Sequence, residues 1–498
     1  MKILAVQKEI VNKYVKLSKS AKLPFDKKNG IEHFWGLNSK VGNKNYFISE
    51  FGNISIEMNK KNQTIYLIRI ILIGLSAKCI SILSKILMNR FLGVEAMGLF
   101  SLINPLVVLL ISLSSLSLPS AIATLISKHP NKDKKILISS FVIFIFLSLI
   151  LMITTYLLED IITQKIFKNN DIIYCLRASL LMIPLTSLSA IIKGYFLGKG
   201  EVKLTSSSQI FEESGRLLFL LLVLYLTNDI SSPIKASFAI FSLACGEIFQ
   251  ISYMLFSSNI NKRNILATFK RNIVYAKDEI RPILNISLPL TFSRLIGSVT
   301  YFFEPLIFTN TMLKLGASQT QITQDYGILS SYVMPLLFMP SFISVILSNF
   351  LLPNMGKMIS KNNHKSAINL FYKITFISLF IGFFINSIFF IFSKNILCFL
   401  YDEPIGETIM KSLSFPFIIY YIETPIIAAL NIYELNKKTL ISTIISCITR
   451  LVLLSPLISR FGVIGVSYAT ILSVLVDISF NLFFLFKFFK WKNINFIN

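Results

Sequence analysis

The sequence predicts an all-α integral membrane protein with about twelve transmembrane helices in two six-helix lobes around a central cavity. Hydrophobic residues make up 54% of the 498 residues, and the mean hydropathy is +0.67. From Ile65 to Asn498 the chain is a series of apolar segments, each long enough for a bilayer core that requires roughly 20 residues. The connecting loops alternate between rich and poor in Lys and Arg. A soluble chain rarely combines these features.

The apolar segments fall into two sets, separated by a long basic stretch. The predicted spans of the first set are 66–88, 99–126, 136–158, 173–197, 209–226 and 234–257. Those of the second set are 284–308, 327–352, 368–392, 407–433, 440–458 and 463–486. The loop at 258–283 is the expected linker, so we predict an N-terminal lobe at 63–275 and a C-terminal lobe at 276–498.

The distribution of basic residues predicts the orientation of the helices. The loops rich in Lys and Arg are 127–135, 193–203, 258–283 and 356–367, with further lysines at 437–438 and in the tail. The loops poor in them are 158–171, 227–233, 309–325 and 392–406. Cationic loops stay on the cytoplasmic side of a membrane. We therefore expect a multi-pass protein of the cell membrane with both termini in the cytoplasm.

Composition argues against several classes of function. The net charge of +24 comes mostly from the predicted inner loops, where Lys and Arg contact anionic lipid headgroups, so we expect membrane lipids and no nucleic acid as partners. The 5 cysteines and 3 histidines have no spacing that would hold a metal or run hydrolysis. We therefore expect no metal, no cofactor, no catalytic residue and no enzyme activity.

Residues 1–62 differ from the rest of the chain. They are polar and rich in Lys, without a long apolar run, so they do not resemble a secretory signal peptide. Two interpretations stay open for this extension: a basic helix on the membrane surface, or a start codon assigned too early, with Met58 as the alternative start. The sequence assigns no function to this segment.

The two sets of spans resemble each other in sequence. The corresponding pairs, offset by about 230 residues, are Gly98–Gly327, Pro105–Pro335, Pro184–Pro416 and Arg216–Arg450. Each repeat holds an even number of spans, so the two copies share one orientation and are related by an axis along the membrane normal. Two bundles of like orientation are typical of a transporter whose substrate site lies between them.

Charged side chains inside the predicted spans identify the candidate site. A Lys or Arg at the centre of a membrane helix costs about 2.5–3.5 kcal/mol on insertion scales, so we expect such residues to face a wet cavity or a partner. In the first span Lys78 and Lys85 share one helical face with Gly74 and Ser81, and Arg90 follows near the outer end.

The seventh span repeats this layout with the same spacing of polar residues: Ser287, Thr291, Arg294 and Ser298. If the first helix of each lobe flanks a central cleft, Arg294 and the three cations of the first span line it. Fixed cations in a cavity shielded from bulk water favour an anion such as phosphate or diphosphate. An alternative is that the cations near span ends snorkel to the membrane interface.

The remaining charges inside the spans fit structural or coupling roles. Glu212 and Arg216 are four residues apart and can neutralise each other on one helix. Glu304, near the outer end of the seventh span, can pair with a cavity cation or face solvent. Glu247 and Asp477 lie in the last span of each half, where a carboxylate can carry a coupling ion.

Several stretches of the chain resemble the multidrug/oligosaccharidyl-lipid/polysaccharide exporter superfamily. They are SKILMNRFLGVEAMGLFSL at 84–102, LSLPSAIATLISK at 116–128, KGYFLGKGEVKLTSSSQIFEESGRL at 193–217, and the segment 303–357. The third holds Ser208, Gln209, Glu212 and Arg216 in the spacing of that family. The chain is most similar to the stage V sporulation protein B and polysaccharide-exporter branch, relatives of lipid II flippases, and the resemblance covers about residues 65–490.

This resemblance implies a fold and an activity. The fold is two six-helix lobes around a central cavity, and the activity is export or flipping of a lipid-linked saccharide across the cytoplasmic membrane. Basic residues of the first helix line the cavity in such flippases, which places Lys78, Lys85 and Arg90 there. Two of these positions hold Lys where Arg is common, and Lys lacks the bidentate guanidinium fork.

We therefore predict a monomeric flippase or exporter that moves a lipid-linked oligosaccharide or peptidoglycan-type precursor by alternating access. Its substrate is a glycan lipid with an anionic phosphate or diphosphate headgroup. Two alternatives stay open. A multidrug/cation antiporter of the same superfamily would need buried carboxylates in its site. A membrane glycosyltransferase or ligase would need a large outer loop with carboxylates or His, and no predicted outer loop exceeds about twenty residues.

Overall fold

The computed structural model describes residues 39–41, 44–48, 54–57, 60–226, 230–257, 276–360 and 362–491. The chain divides into two compact units, Met1–Leu72 and Ile73–Asn498. The described residues of the second unit are almost entirely helical. The prediction of an all-α membrane fold is therefore confirmed for this unit.

The first unit contains a small antiparallel sheet that the sequence analysis did not predict. Its strands are β1 Ser39–Val41, β2 Lys44–Ile48 and β3 Ile54–Glu57, paired in the order β1-β2-β3. The segments KNYFI and ISIE contain the β-branched and aromatic residues that fit a pleated surface. The possible basic surface helix and the alternative start at Met58 lie outside the described residues.

The first half of the helical part begins with a long helix. In chain order the helices of this half are α1 Lys60–Ser115, α2 Leu118–Lys128, α3 Asp133–Leu157, α4 Ile172–Gly198, α5 Val202–Leu226 and α6 Ser232–Ser257. A π-helical segment, Ile161–Ile166, lies between α3 and α4. Helix α5 packs against α6, and α4 packs against α6 and α2.

The helices of the second half are more often interrupted. In chain order they are α7 Ala276–Lys314, α8 Gln319–Gly327, α9 Met334–Phe338, α10 Phe342–Ser360, α11 His364–Tyr401, α12 Glu407–Ser414, α13 Tyr420–Ile432, α14 Asn436–Phe461 and α15 Ile464–Trp491. A π-helical segment, Ile328–Val333, joins α8 to α9. Helix α14 packs against α15 and α7.

Helix α1 bends sharply at Gly93, which has φ +83° inside the helix. Asn89 Nδ2 donates a hydrogen bond to the Ser331 carbonyl at 2.7 Å, and the hydroxyl oxygens of Ser101 and Ser331 lie 2.5 Å apart. Twelve residues of straight helix would separate Asn89 from Ser101 by about 18 Å, too far for both to reach Ser331. The predicted spans 66–88 and 99–126 therefore lie on opposite sides of this bend.

The number of spans remains a prediction. Among the described residues, 9 helices are long and apolar enough to cross a membrane, or up to 10 if the bent pair Glu407–Ser414 and Pro416–Ile432 forms one span. The stretch Leu72–Lys128 enters this count once although it bends at Gly93. Helix α5, which carries Glu212, Glu213 and Arg216, is not among the helices that are long and apolar enough to cross a membrane.

Large apolar side chains lie exposed on the outside of the helical unit. Phe399 is 82% exposed, Leu157 72% and Phe376 68%. A soluble monomer rarely exposes large contiguous apolar patches. Together with the long apolar helices, these side chains show that the chain is a multi-pass membrane protein.

The first turns of α7 pack against the first half of the chain. Lys132 Nζ lies 2.8 Å from Glu279 Oε1, and Ile283 is fully buried in a cluster that includes Ile136 and Phe144. The predicted boundary between residues 275 and 276 thus separates two parts of the chain that are in contact. The division into two six-helix lobes stays a prediction.

Candidate functional site

A cavity of about 520 Å³ lies between the two halves of the helical unit. Its walls come from α1 in the first half and from α7, the segment 328–339, α11, α13, α14 and α15 in the second. The charged and phenolic residues that line it are Lys78, Lys85, Glu304, Arg450, Tyr301, Tyr401 and Tyr420. Both halves therefore contribute polar groups to one space.

Lys78 and Lys85 reach the cavity from the part of α1 that precedes Gly93. They are seven residues apart, which is close to two helical turns, so both lie on one face with Ser81 between them. The two ammonium groups are close enough to interact electrostatically, and Arg216 of α5 adds positive charge beside Lys85. This wall of the cavity is therefore cationic.

Glu304 and Arg450 form an ion pair on the opposite wall. The Arg450 guanidinium donates to Glu304 Oε2, and the Tyr326 hydroxyl donates to Glu304 Oε1 at 3.1 Å. Glu304 is only 5% exposed, so its carboxylate depends on these two partners. A cavity cation was one of the two partners expected for Glu304 from the sequence. Arg450 was not predicted to belong to the site. The one sequence signal for Arg450 was its repeat relation to Arg216.

The residues that line the cavity carry more positive than negative charge. Lys78, Lys85 and Arg450 stand against Glu304, and Glu304 is already paired with Arg450. Glu213 of α5 interacts electrostatically with Lys78 but is paired with Arg216, so neither lysine forms an ion pair among the described residues. Hydrogen bonds from cations to phosphate oxygens are short and strong, so this arrangement can hold an anionic group.

Arg90 does not line the cavity. Its guanidinium forms two hydrogen bonds to the Asp402 carboxylate, and both side chains are more than 40% exposed. Another exposed ion pair joins Arg177 of α4 to Glu159, which lies outside the spans, at 2.8 Å, and the hydrogen bond from Arg177 lowers the pKa of Glu159. The structure therefore gives Arg90 a contact between α1 and the end of α11, apart from the two lysines.

Arg294 is also absent from the residues that line this cavity, and its side chain is exposed on α7. Its neighbour Ser293 lines a second cavity of about 330 Å³. The other residues that line this second cavity are Ile296, Asn431, Asn436, Lys437, Thr439, Leu440 and Thr443. The structure thus brings together two of the four predicted cations.

The two halves meet closely where α1 emerges from its bend. A Cβ atom on Gly98 would lie 2.2 Å from the Thr323 carbonyl oxygen, and one on Gly327 would lie 2.7 Å from the Gly98 Cα. Gly98 and Gly327 are a predicted repeat pair, and the hydroxyls of Ser101 and Ser331, three and four residues farther along, are in contact. Residues that contact their own repeat copies lie on the axis that relates the copies.

Proline chemistry explains one bond of this contact, which we call the closed end (Asn89, Gly98, Ser101, Gly327 and Ser331). Pro335 has no N–H to donate to the Ser331 carbonyl four residues earlier. That carbonyl instead accepts the hydrogen bond from Asn89. The Tyr332 hydroxyl donates in turn to the Asn89 carbonyl at 2.7 Å. The break in one helix therefore supplies an acceptor for the other half.

Glu212 is the centre of a polar cluster in the first half. Arg216 Nη2 and Lys193 Nζ each lie 3.5 Å from a Glu212 oxygen, and Gln250 Nε2 donates to Oε2. Arg216 also pairs with Glu213 at 2.9 Å. The predicted pair of Glu212 and Arg216 is thus part of a larger network.

Asp477 is buried in the last helix of the second half, and Glu247 is half-buried in the last helix of the first. Asn481 Nδ2 donates to Asp477 Oδ2 at 2.7 Å, and Ser442 donates to Asn481 Oδ1 at 2.6 Å. Glu247 Oε2 and Asp477 Oδ1 have no hydrogen-bond partner among the residues that the structure describes. Each carboxylate therefore has one oxygen free to bind something else.

The described residues contain no group of three or more His, Cys, Asp or Glu side chains placed to hold a metal ion. The five cysteines are free thiols. The candidate site is therefore the cationic cavity itself.

Comparison with known proteins identifies the family. A family model described as "Polysaccharide biosynthesis protein" matches residues 66–359. The chain is 24% identical over 406 residues to stage V sporulation protein B of Bacillus subtilis (strain 168), covering 80% of this chain and 78% of that protein.

Solved structures show the same fold at low identity. An inward-facing multidrug resistance MATE family transporter of the MOP superfamily has a TM-score of 0.66 at 14% identity, covering 85% of this chain and 99% of that one. The lipid II flippase MurJ in an inward closed conformation has a TM-score of 0.58 at 15% identity, covering 84% and 87%.

The family match covers more than half of the chain, and the fold agrees with it. The alternative of a glycosyltransferase or ligase is therefore wrong. The chain belongs to the polysaccharide biosynthesis protein family and is a membrane flippase or exporter rather than an enzyme.

Proposed function

We propose that this protein moves a lipid-linked oligosaccharide or a peptidoglycan-type precursor across the cell membrane by alternating access. The observation that carries the proposal is the excess of cations in the cavity, where Lys78 and Lys85 face the paired Arg450 and Glu304. The name of the matching family, polysaccharide biosynthesis protein, and the name of a similar solved structure, a lipid II flippase, point to the same class of cargo.

The proposed cargo presents a phosphate or diphosphate to the two lysines. A cavity between helices has a lower dielectric constant than water, so each charge-assisted hydrogen bond is stronger there than at the surface. The lipid tail stays in the bilayer while the polar headgroup crosses. If the Lys-rich loops are cytoplasmic, an inside-negative potential favours outward movement of the anion by roughly 2.3 kcal/mol per charge per 100 mV.

The closed end supplies the barrier of the proposed transport cycle. The contacts of Gly98 with Gly327 and of Ser101 with Ser331 join the two halves beyond the cavity. In the opposite state these contacts separate, together with the pair of Arg90 and Asp402. We assign Arg90 to this closure, and Arg294 to the approach toward the second cavity, rather than to the phosphate site.

A drug/cation antiporter is the second candidate function, because the fold is also that of MATE transporters and because Glu247 and Asp477 each have a buried oxygen without a hydrogen-bond partner among the described residues. A cationic drug would meet Lys78 and Lys85 in the cavity, which repel it. The two carboxylates fit better as sites for a coupling proton or cation.

Transport by purified protein in vesicles tests the proposal. The substrate is a fluorescent undecaprenyl-diphosphate-linked disaccharide, and the readout is the fraction that a membrane-impermeant quencher reaches over time. We expect Lys78→Ala and Lys85→Ala each to slow transport at least tenfold, because each removes a charge-assisted hydrogen bond.

The matched control is Lys411→Ala, which removes a lysine that pairs with Glu407 at 2.7 Å and does not line the cavity. It should transport at the wild-type rate. Wild-type transport by a Lys78→Ala/Lys85→Ala double variant would contradict the proposed phosphate site.

A further inference from the structure

The second cavity lies on the same helical faces as the first. Helices α7, α13 and α14 line both: the residues in the first are Glu304, Tyr420 and Arg450, and those in the second are Ser293, Asn431 and Thr439. On every helix the two residues are 11 positions apart. Eleven residues make about three turns, within roughly 20° of the same direction, and rise about 16 Å.

The direction of numbering agrees with this stacking. Helices α7 and α14 run from the second cavity toward the first, so their lower numbers, Ser293 and Thr439, line the second. Helix α13 runs the opposite way, and its higher number, Asn431, lines the second. The second cavity is therefore a continuation of the first, about three helical turns farther from the closed end.

The chemistry of the two cavities differs. The first is lined by three cations and one paired carboxylate, whereas the second is lined mainly by neutral amides and hydroxyls. Neither Asn431 nor Asn436 has a side-chain hydrogen-bond partner in the part of the chain that the structure describes. Each amide can donate two hydrogen bonds and accept two.

The threonines and the apolar residues complete this surface. Thr443 donates to the Thr439 carbonyl at 3.0 Å, so its hydroxyl oxygen remains available to accept from a ligand. Ile296 and Leu440 add apolar area beside these groups. Lys437 is the one charged residue that lines this cavity among the described residues. Mixed amide, hydroxyl and aliphatic surface is suited to a neutral ligand rich in hydroxyl groups.

We infer that the second cavity binds the sugar portion of the transported lipid while Lys78 and Lys85 hold its phosphate. This inference rests on the proposed function and adds a subsite to it. A ligand with an anionic group at one end and neutral hydroxyls on the sugars attached to it matches the order of the two cavities. The amides of Asn431 and Asn436 bind sugar hydroxyls, and Thr443 accepts from them.

Equilibrium binding to full-length protein in nanodiscs tests the subsite with two probes. One is undecaprenyl diphosphate, and the other is the same lipid carrying a disaccharide. We expect the wild type to bind the disaccharide probe about five- to tenfold more tightly, the effect of one or two hydrogen bonds. Asn431→Ala should weaken binding of that probe by about the same factor and leave binding of undecaprenyl diphosphate unchanged. The sugar-free probe therefore also reports whether the variant is folded.

A matched pair of lysines provides the control. Lys437→Ala removes a residue that lines the second cavity, whereas Lys438→Ala removes its neighbour, whose Nζ lies 5.3 Å from the Phe484 ring centroid. Only Lys437→Ala should weaken binding of the disaccharide probe.

The possible failures are distinguishable. Equal binding of both probes by the wild type, or equal losses in Asn431→Ala, would overturn the sugar subsite. The phosphate site would still stand if Lys78→Ala and Lys85→Ala weakened both probes. If those lysine variants bound both probes like the wild type, the proposed function would fall and the subsite with it.

Discussion

The two halves of the helical unit balance their acidic side chains in different ways. Glu247 in the first half corresponds to Asp477 in the second, and Lys193 corresponds to Glu423, both at an offset of 230 residues. In the first half Lys193 and Arg216 act on Glu247 electrostatically. In the first half these two cations therefore offset part of the charge of three carboxylates, those of Glu212, Glu213 and Glu247.

The second half has an acid where the first has a lysine. Glu423 interacts with Asp477, and no basic side chain among the described residues forms an ion pair with either. Two carboxylates that share a site cannot both stay ionised without a compensating charge. We therefore expect a proton or cation from solution to offset the charge of Glu423 and Asp477, and the second half to carry ion coupling.

The largest expected effect compares the repeat-related arginines. Arg450→Ala leaves Glu304 buried with only the Tyr326 hydroxyl as partner, which should cost about 3–5 kcal/mol of stability. Arg216→Ala leaves Glu212 with a lysine and an amide but removes the ion-pair partner of Glu213, so we expect a smaller loss of about 1–3 kcal/mol. Thermal unfolding in detergent measures both.

Arg450→Lys is the control for this comparison, because it keeps the charge and loses the fork of the guanidinium. It should retain more stability than Arg450→Ala. Equal unfolding midpoints for Arg216→Ala and Arg450→Ala would show that the two halves do not differ in this respect.

The second prediction concerns the coupling ion. Asp477→Asn should remove most of the dependence of transport on Na⁺ or on a pH gradient, because it leaves Glu423 without its acidic neighbour. Glu247→Gln should weaken that dependence less, because Lys193 and Arg216 offset part of the charge of the carboxylates in the first half. The measurement is the transport rate in vesicles at varied external Na⁺ and pH. A larger loss of ion dependence in Glu247→Gln would reverse the assignment.

The third prediction tests where the two halves are equivalent. Gly98→Ala and Gly327→Ala each place a Cβ against backbone atoms of the other half, at 2.2 Å and 2.7 Å. Overpacking of this kind costs about 1–3 kcal/mol, so both variants should open the closed end to a similar degree. The measurement is the yield of a disulfide between cysteines introduced at Ser101 and Ser331.

Gly74→Ala is the control, because a Cβ at that position meets no atom within 4 Å. It should leave the disulfide yield unchanged. If Gly98→Ala and Gly327→Ala also left it unchanged, the close packing of the two glycines would not hold the halves together.

The smallest expected effect separates Arg90 from the phosphate site. Arg90→Ala breaks an ion pair whose side chains are 42% and 56% exposed, so we expect a change of less than about 1 kcal/mol in closure. Binding of undecaprenyl diphosphate should stay at the wild-type level, whereas Lys85→Ala should weaken it. A loss of binding in Arg90→Ala equal to that in Lys85→Ala would return Arg90 to the site.

Local periodicity explains what could be predicted of the site. Lys78 and Lys85 lie on one face because seven residues make nearly two turns of any α-helix, whatever surrounds it. The sequence did not predict Arg450 as a residue of the site, because its partner Glu304 is 146 residues away along the chain. Arg90 was misplaced for a similar reason, since Asp402 is 312 residues away.

The repeat in the sequence carried more information than its separate motifs. Gly98 and Gly327 were recognised as copies, but only the folded chain shows that they contact each other. An offset of about 230 residues specifies equivalence without specifying where the axis between the copies lies. The contact between these two glycines is where we expect the predicted axis to pass.

The sequence by itself determined that the chain is a helical membrane protein. It also determined that Lys78 and Lys85 share one face of the first membrane helix. Both features depend only on residues that are close in sequence. The hydropathy of about 20 consecutive residues decides whether a segment can span the bilayer, and the helical period decides which side chains share a face. Tertiary structure alone decided which cations share a cavity, which carboxylates have counter-ions, and how a polar second cavity stacks under the first. These depend on contacts between distant segments, because the electrostatic energy of a buried charge is set by its neighbours in space.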